Sequence, residues 1–357
     1  MYCRLFKTKQ KKTLIIRIFV FIPLEPASIY FEPQGMSSTI ETANESNSER
    51  SKGSTEKVEL KSGDTFVHAY DVLGNGDMCY KPLALMGGFW IPVHLVANWV
   101  KTYNFPLRSG DVIVATHPKA GTHWIFYTVY LIQTKNFGSI PAHQQLSQIE
   151  DIYKDEYFQA QLAQQGPRVF ATHMPGPLLA KHAFNGKVIY VERNPKDVAV
   201  SLFHHYKNRN FGKNFDEFVQ LFMQGRTIFG PYWKHLESYR QLKQEKTNGD
   251  KILIVKYEEM KKDTKATIRK IAQFLEIPLE DGEVEKIDQA VAVDNMRKNN
   301  DANGSIWRSG VNWNQQNSFI RKGNVGSWRD EFANPQLVEQ FEHFCKEKLP
   351  GDDFVYE

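Results

Sequence analysis

The chain has 357 residues, of which 41% are hydrophobic and 24% are charged, a balance typical of a globular protein with a sizeable core. Its 45 basic and 41 acidic residues leave a formal net charge of +4, which is too small to favour a nucleic-acid-binding protein. The three cysteines, Cys3, Cys79 and Cys345, form no CxxC pair. This argues against a disulfide framework and a zinc site, and it favours a reduced, intracellular protein.

A basic segment and a short apolar run open the chain. The apolar run, Ile18 to Leu24, contains a proline and is far shorter than the ~20 residues that a membrane span needs. A targeting peptide and an overlong amino terminus that ends before Met36 both stay open. Residues 37–61 are rich in Ser, Thr, Asn, Glu and Lys, which indicates disorder. We therefore predict a disordered extension over residues 1–64 and a single domain over residues 65–357.

Short β-rich runs alternate with helix-like stretches in this predicted domain. The predicted strands are Asp111–Thr116, Arg168–Thr172, Lys187–Val191 and Lys251–Val255, and the predicted helices are Trp124–Ile132, Asp197–Tyr206 and Ile268–Leu275. This alternation predicts an α/β fold with a central parallel β-sheet flanked by helices on both faces. Ligands bind such sheets at the carboxyl ends of the strands, so we expect a binding site in the loops there.

The loop after the first predicted strand reads His117-Pro-Lys-Ala-Gly-Thr-His-Trp124. A glycine next to a helix start lets backbone N–H groups point at an anion, and the helix dipole favours negative charge there. Lys119 adds a positive charge and Thr122 a hydroxyl donor. The loop is P-loop-like, but it is not a Walker A motif, because Lys119 precedes Gly121 and no GxxxxGK[ST] occurs in the chain. A turn with a solvated lysine also fits this segment taken alone.

Two further segments carry cations at positions suited to an anion. Arg193 leaves the end of the third predicted strand, and Ser201 lies on the helix that follows; Asp197, between them, is a candidate helix cap or first-turn acid. Arg321 and Lys322 precede a glycine near the end of the chain. Arginine suits forked phosphate binding. Taken one at a time, an ion pair for Arg193 and a solvated turn at residue 321 are the simpler interpretations.

The three segments in this order resemble those of the cytosolic sulfotransferase family, and the resemblance covers about Thr65 to the carboxyl terminus. In that family a YPKSGTTW-like loop holds the 5′ side of 3′-phosphoadenosine 5′-phosphosulfate (PAPS). An RNPKDVxVS-like helix start and an RKGxxGxW-like loop hold its 3′-phosphate. The resemblance implies a PAPS-dependent enzyme that transfers a sulfuryl group to a hydroxyl or amine of a small acceptor, such as a phenol, a sterol or another alcohol.

The resemblance also implies a role for each site residue. Lys119 would neutralise the departing phosphate, and His173, in Ala171-Thr-His-Met-Pro175, would take the acceptor proton in one in-line displacement. Protein donors would offset the charge that magnesium handles in kinases, so no metal is expected. The residues implied to bind the donor are Lys119, Ala120, Gly121, Thr122, His123, Trp124, Arg193, Ser201, Tyr257, Phe319, Arg321, Lys322 and Gly323.

Several positions depart from the family pattern. His117, Ala120 and His123 replace a tyrosine, a serine and a threonine of the donor loop, and Ala171 replaces a common lysine. Residues 291–293, Val-Ala-Val, replace a Thr-Ser-Phe triplet that contacts adenine in the family. These changes leave open a catalytically weak relative that binds the nucleotide or an apolar ligand without efficient transfer.

Partners and location follow mainly from what the sequence lacks. A dimer is possible, although the family's dimer pattern after Trp328 is poorly matched; no nucleic-acid or membrane partner is expected, and the predicted location is the cytoplasm. A P-loop nucleotide kinase and a Golgi carbohydrate sulfotransferase are further alternatives, disfavoured by the missing Walker lysine and by the sparse cysteines.

Four aromatic residues could line the acceptor pocket, although core packing explains them equally well: Phe89, Trp90, Phe126 and Tyr127.

Overall fold

The computed structural model describes residues 83–96, 99–141, 144–146, 148–151, 155–209, 211, 214–303 and 320–351, together with four strands nearer the amino terminus. Those strands are β1 (Arg4–Phe6), β2 (Ile15–Arg17), β3 (Glu56–Ser62) and β4 (Thr65–Asp71). Three of them lie within residues 1–64, and the rest of that segment lies outside the described residues. The predicted disorder and the predicted boundary after residue 64 therefore stay predictions.

The remaining strands and helices follow one another along the chain in the order that the alternating pattern indicates. The strands are β5 (Leu83–Met86), β6 (Phe89–Pro92), β7 (Val112–Thr116), β8 (Val169–Thr172), β9 (Lys187–Glu192) and β10 (Ile252–Lys256). The described helices are α1 (Val93–Val96), α2 (Trp99–Tyr103), α3 (Thr122–Thr134), α4 (Asp155–Ala163), α5 (Pro195–Lys207), α6 (Phe215–Met223), α7 (Tyr232–Gln244), α8 (Tyr257–Lys262), α9 (Thr264–Leu275), α10 (Asp281–Val291), α11 (Val293–Lys298) and α12 (Pro335–Lys348).

A four-stranded sheet with the order β10-β9-β7-β8 forms the centre of the fold. All three of its strand pairs are parallel, so the predicted parallel sheet is confirmed. Each of its strands begins and ends within one residue of the prediction. A second sheet, with the order β3-β4-β5-β6, is antiparallel.

Helices cover both faces of the central sheet, and β7 shows how the sequence produces these layers. Successive side chains of a strand point to opposite faces. Val112 and Val114 pack in a core shared with α3, α9 and α10, whereas Ile113 and Ala115 pack in a core shared with α7. Because both faces are covered, the whole strand is buried and reads as an unbroken apolar run.

The four parallel strands end at one edge of the sheet, at Thr116, Thr172, Glu192 and Lys256. The loop before α3, the residue His173, the turn before α5 and the start of α8 follow these ends directly. The chain thereby brings segments that are far apart in sequence to a single edge, which is where parallel sheets bind their ligands.

Candidate functional site

A cavity of about 200 Å³ lies at this edge of the sheet. Twelve of the fourteen residues singled out from the sequence line it. They are Lys119, Gly121, Thr122, His123, Trp124, His173, Arg193, Ser201, Tyr257, Arg321, Lys322 and Gly323.

The other two predicted residues are not among the described residues that line this cavity. The side chain of Ala120 is fully buried in the core, and its backbone N–H donates to the carbonyl of His117 at 3.1 Å. Phe319 lies outside the described residues. Their predicted contacts with the donor stay predictions.

The loop before α3 adopts a backbone shape that most side chains avoid. Lys119 has a φ of 71° and Gly121 a φ of 116°, and a left-handed residue other than glycine costs on the order of 1–2 kcal/mol. A Cβ atom at Gly121 would lie 2.8 Å from a ring carbon of Tyr257. The loop is therefore packed closely against α8, and this position requires glycine.

Arg193 joins the three segments that the sequence singled out. Its Nη1 donates to the carbonyl of Lys119 at 2.9 Å, and its Nη2 donates to the carbonyl of Asn324 at 3.4 Å. The guanidinium lies 4.1 Å from the centre of the Tyr257 ring, a stacking geometry that favours arginine over lysine. Its Nε is buried and has no hydrogen-bond partner among the described residues. A buried donor of this kind is suited to a ligand that enters the cavity.

Asp197 holds the third segment against α5. Its carboxylate is fully buried and accepts hydrogen bonds from the backbone N–H groups of Gly326 at 2.8 Å and Trp328 at 3.0 Å, and from the Ser327 hydroxyl at 3.2 Å. The helix cap is instead Asn194, whose side chain accepts from the N–H of residue 196. Asp197 is thus a first-turn acid whose carboxylate accepts hydrogen bonds from a loop that is distant in sequence.

The loop that Asp197 holds carries two of the cavity cations. Arg321 donates to the hydroxyl of Ser327 at 3.3 Å, whereas Lys322 pairs with Asp330 at the surface. Gly323 has a φ of 69°, and a Cβ there would lie 2.8 Å from Val293. Val293 belongs to the triplet that departs from the family pattern, so the departure lies directly against the cationic loop.

Hydrogen bonds fix the ring and the backbone of His173. Its Nδ1 lies 2.7 Å from the carbonyl of Thr116, and since a carbonyl can only accept, Nδ1 carries the proton of the neutral ring. Nε2 is then the unprotonated nitrogen. The buried carboxylate of Glu150 accepts from the N–H of His173 at 2.7 Å and from the hydroxyl of Thr172 at 2.8 Å. On the other side, His235 Nε2 donates to the carbonyl of His173 at 3.0 Å.

His235 is a structural partner in this arrangement. Because its Nε2 donates to a carbonyl, its Nδ1 accepts from the hydroxyl of Tyr190 at 2.9 Å. Burial lowers the pKa of His235 to about 3, with the hydrogen bond to the His173 carbonyl opposing the effect and the charge of His173 adding to it. The ring therefore stays neutral near pH 7 and keeps this pattern of donors and acceptors.

Burial and clustered cations shift the pKa values of the cavity residues. Burial lowers the pKa of His173 to about 4, with the charge of Lys119 adding to the effect and the bond to Thr116 opposing it. Burial also lowers the pKa of His123 to about 3. The pKa of Lys119 falls to about 7, first through burial and then through repulsion by Arg193 and two further arginines. His173 is therefore neutral near pH 7 and able to accept a proton.

The sequence patterns missed several polar residues of the cavity lining, among them His205 and Arg209. His205 and Arg209 line the cavity at intervals of four residues from Ser201. Since residues four apart share one face of a helix, this spacing was a signal that could have identified them. Pro92, His94 and Leu95 also line it, and no local motif marks them. The suggested pocket aromatics do not line it, and core packing accounts for Phe89, Phe126 and Tyr127, which are buried.

The described part of the chain lacks two kinds of feature. It contains no group of three or more His, Cys, Asp or Glu side chains arranged to hold a metal ion. No helix within it combines the length and the apolar character needed to cross a bilayer.

Comparisons with known proteins bear on this site. Residues 109–353 match the family model of the sulfotransferase domain. Cytosolic sulfotransferase 13 of Arabidopsis thaliana is 33% identical over 286 residues, which cover 75% of this chain and 86% of that protein. The matched region contains every described cavity residue from Lys119 to Ser327. The chain belongs to the cytosolic sulfotransferase family.

Solved structures of sulfotransferases share the fold. Mouse sulfotransferase SULT7A1 has been solved in a complex with PAP, the desulfated product of PAPS. It has a TM-score of 0.60 and 28% identity, covering 75% of this chain and 94% of that chain. Retinol dehydratase, in a complex with retinol and PAP, has a TM-score of 0.64 and 25% identity, with coverages of 77% and 92%. The protein is a PAPS-dependent sulfotransferase, which transfers a sulfuryl group from PAPS to an acceptor. This disfavours the nucleotide kinase.

Proposed function

We propose that PAPS binds in the cavity with its 5′ side at the loop of Lys119, Gly121 and Thr122 and its 3′-phosphate near Arg193 and Arg321. One observation carries the proposal: the described lining contains five cations and neither aspartate nor glutamate. Such a surface suits a ligand with several negative charges. The buried Nε of Arg193, which has no partner among the described residues, also supports it.

The remaining donor contacts follow from the same arrangement. Ser201, Lys322 and Gly323 would complete the 3′-phosphate site. Trp124 and Tyr257, whose rings lie 5.5 Å apart at an angle of 74°, would contact the adenine. The side chain of His123 adds a neutral imidazole beside Lys119, because its pKa of about 3 keeps it uncharged near pH 7.

His173 is the general base of the proposed transfer. Its Nε2 accepts the acceptor's hydroxyl proton while the acceptor oxygen bonds to sulfur and the bond from sulfur to the phosphate oxygen breaks. The carbonyl of Thr116 holds the ring in the required tautomer, and Glu150 fixes the backbone of His173. Lys119, in its cationic form, stabilises the charge on the departing phosphate. PAPS supplies the activated sulfuryl group, and the proposed transfer needs no metal.

The proposed acceptor is a small, largely apolar alcohol or phenol. Leu95, Ile228 and Phe229 line the cavity, and the ring of Phe229 lies 5.4 Å from that of His173. An apolar wall beside the base would hold the acceptor body while its hydroxyl faces Nε2. The bound retinol of the related dehydratase fits this class. We further propose a cytoplasmic location, which the name of the Arabidopsis relative supports.

Transfer of labelled sulfate from PAPS to a panel of phenols, sterols, alcohols and amines tests the proposal. We expect His173→Ala to lower kcat about 100- to 10,000-fold and Lys119→Ala to lower both kcat and PAP affinity. Lys181→Ala and His182→Ala are matched controls, since neither residue lines the cavity. Equal losses in the controls would contradict the assigned roles. PAP binding without transfer to any acceptor would favour the catalytically weak relative instead.

A further inference from the structure

The donor assignment leaves one cation of the cavity without a role. Lys119, Arg193, Arg321 and Lys322 are assigned to the phosphates of PAPS, whereas Arg209 also lines the cavity. We propose that Arg209 binds an acidic group of the acceptor, so that the preferred acceptors are hydroxylated apolar acids. This inference rests on the proposed function, because it requires the phosphates of PAPS to contact the other four cations.

The geometry of α5 separates Arg209 from the 3′-phosphate site. Asp197, in the first turn of α5, holds the loop that carries Arg321, so the amino-terminal end of α5 faces that site. Arg209 follows Ser201 by eight residues, and it continues the helical turn because its N–H donates to the carbonyl of Tyr206 at 2.9 Å. Eight residues of helix span ~12 Å. Arg209 therefore lies ~12 Å along the helix direction from Ser201, one of the proposed 3′-phosphate ligands.

Contacts of the same turn lead to the apolar wall beside the base. The hydroxyl of Tyr206 accepts a hydrogen bond from the N–H of Ile228 at 3.1 Å. Ile228 and Phe229 line the cavity, and Phe229 packs on His173. The turn that follows α5 and carries Arg209 is thus joined to the segment proposed to hold the acceptor.

The chemistry of this end of the cavity selects the acceptor class. Apolar side chains from Leu95, Ile228 and Phe229 suit a hydrocarbon or aromatic body. Arg209 suits a carboxylate, which it can bind through two parallel hydrogen bonds. His205, one turn before it on the same face, adds an imidazole. An acceptor with a hydroxyl at one end and a carboxylate at the other would contact both His173 and Arg209.

A matched pair of acceptors tests this assignment: 3-(4-hydroxyphenyl)propanoate and its methyl ester, which differ in charge and keep the same phenol. We expect the wild-type enzyme to show a kcat/KM for the acid at least about tenfold above that for the ester. Arg209→Gln should lower this ratio about tenfold, Arg209→Glu should reverse the preference, and Arg209→Lys should retain most of it. Lys207→Gln is the control, because Lys207 is exposed at the same helix end and does not line the cavity.

Binding measurements separate the failure of this inference from the failure of the proposed function. The Kd of PAP, and the Kd of each acceptor in the presence of saturating PAP, are measured by calorimetry and need no turnover. An acid-to-ester affinity ratio that Arg209→Gln leaves unchanged would overturn the inference, whether or not transfer occurs. A tenfold rise in the Kd of PAP in Arg209→Gln would overturn it too, because Arg209 would then belong to the donor site. Absence of transfer, with the acid still preferred through Arg209, would reject the proposed catalysis alone.

Discussion

Lys119 is partly buried among cations, and this makes its charge depend on whether an anion is present. Burial and the nearby arginines hold its pKa at about 7, so roughly half of the free protein carries a neutral Lys119 at neutral pH. A phosphate placed against Lys119 opposes this repulsion and raises its pKa. Donor binding should therefore be coupled to proton uptake.

We predict that PAP binding takes up close to one proton at pH 8.5 and that its Kd rises about tenfold per pH unit above pH 7. The sign follows because the cationic lysine binds the anion, and the free protein loses that cation as the pH rises through about 7. PAP phosphates are fully ionised there, since their second pKa lies near ~6. Calorimetry in two buffers of different ionisation enthalpy measures the uptake. Lys119→Gln should abolish it; identical heats for the wild-type protein in both buffers would refute the prediction.

Among the elements, α5 shows most clearly what the sequence could and could not predict. The pattern of β-rich runs placed all four strands of the central sheet, and three motifs predicted residues that meet in one cavity. The pattern also offered two roles for Asp197, a helix cap or a first-turn acid; it is the acid, and its hydrogen-bond partners lie 129 to 131 residues further along the chain. Such pairings depend on tertiary packing, which local sequence propensity does not predict. The cavity residues Pro92, His94 and Leu95 were missed for the same reason.

Because Asp197 joins α5 to the cationic loop, we predict that Asp197→Asn weakens PAP binding about tenfold. An amide offers one acceptor oxygen, and its NH₂ would face backbone N–H groups, so the loop that carries Arg321 would lose its support. The Kd of PAP by calorimetry is the measurement. Asp216→Asn, at the exposed start of α6, is a matched control. An unchanged Kd, with the fold intact by circular dichroism, would mean that the loop is held by other contacts.

At the scale of the whole molecule, the ligand site and a buried ion pair lie at opposite edges of the central sheet. The cavity occupies the edge where β7 and β8 end, whereas Asp111 and Arg168 immediately precede the same two strands. Both side chains are almost fully buried and form an ion pair. Arg168 also donates to the carbonyls of Gln161 and Pro106, at 2.9 and 3.0 Å. The pair therefore ties β7, β8, the end of α4 and the segment before β7 together.

We predict that Arg168→Met lowers the free energy of unfolding by about 3–5 kcal/mol, because it leaves the carboxylate of Asp111 buried without its partner. Asp111→Asn keeps the shape of the acid and should cost less, since no isolated negative charge remains; the buried arginine retains its two carbonyl acceptors. Urea unfolding at pH 7, followed by circular dichroism, measures both. The exposed pair of Arg269 and Asp281 supplies the control, and Arg269→Met should change stability by less than about 1 kcal/mol. A cost below that value for Arg168→Met would show that water or another donor compensates the charge of Asp111.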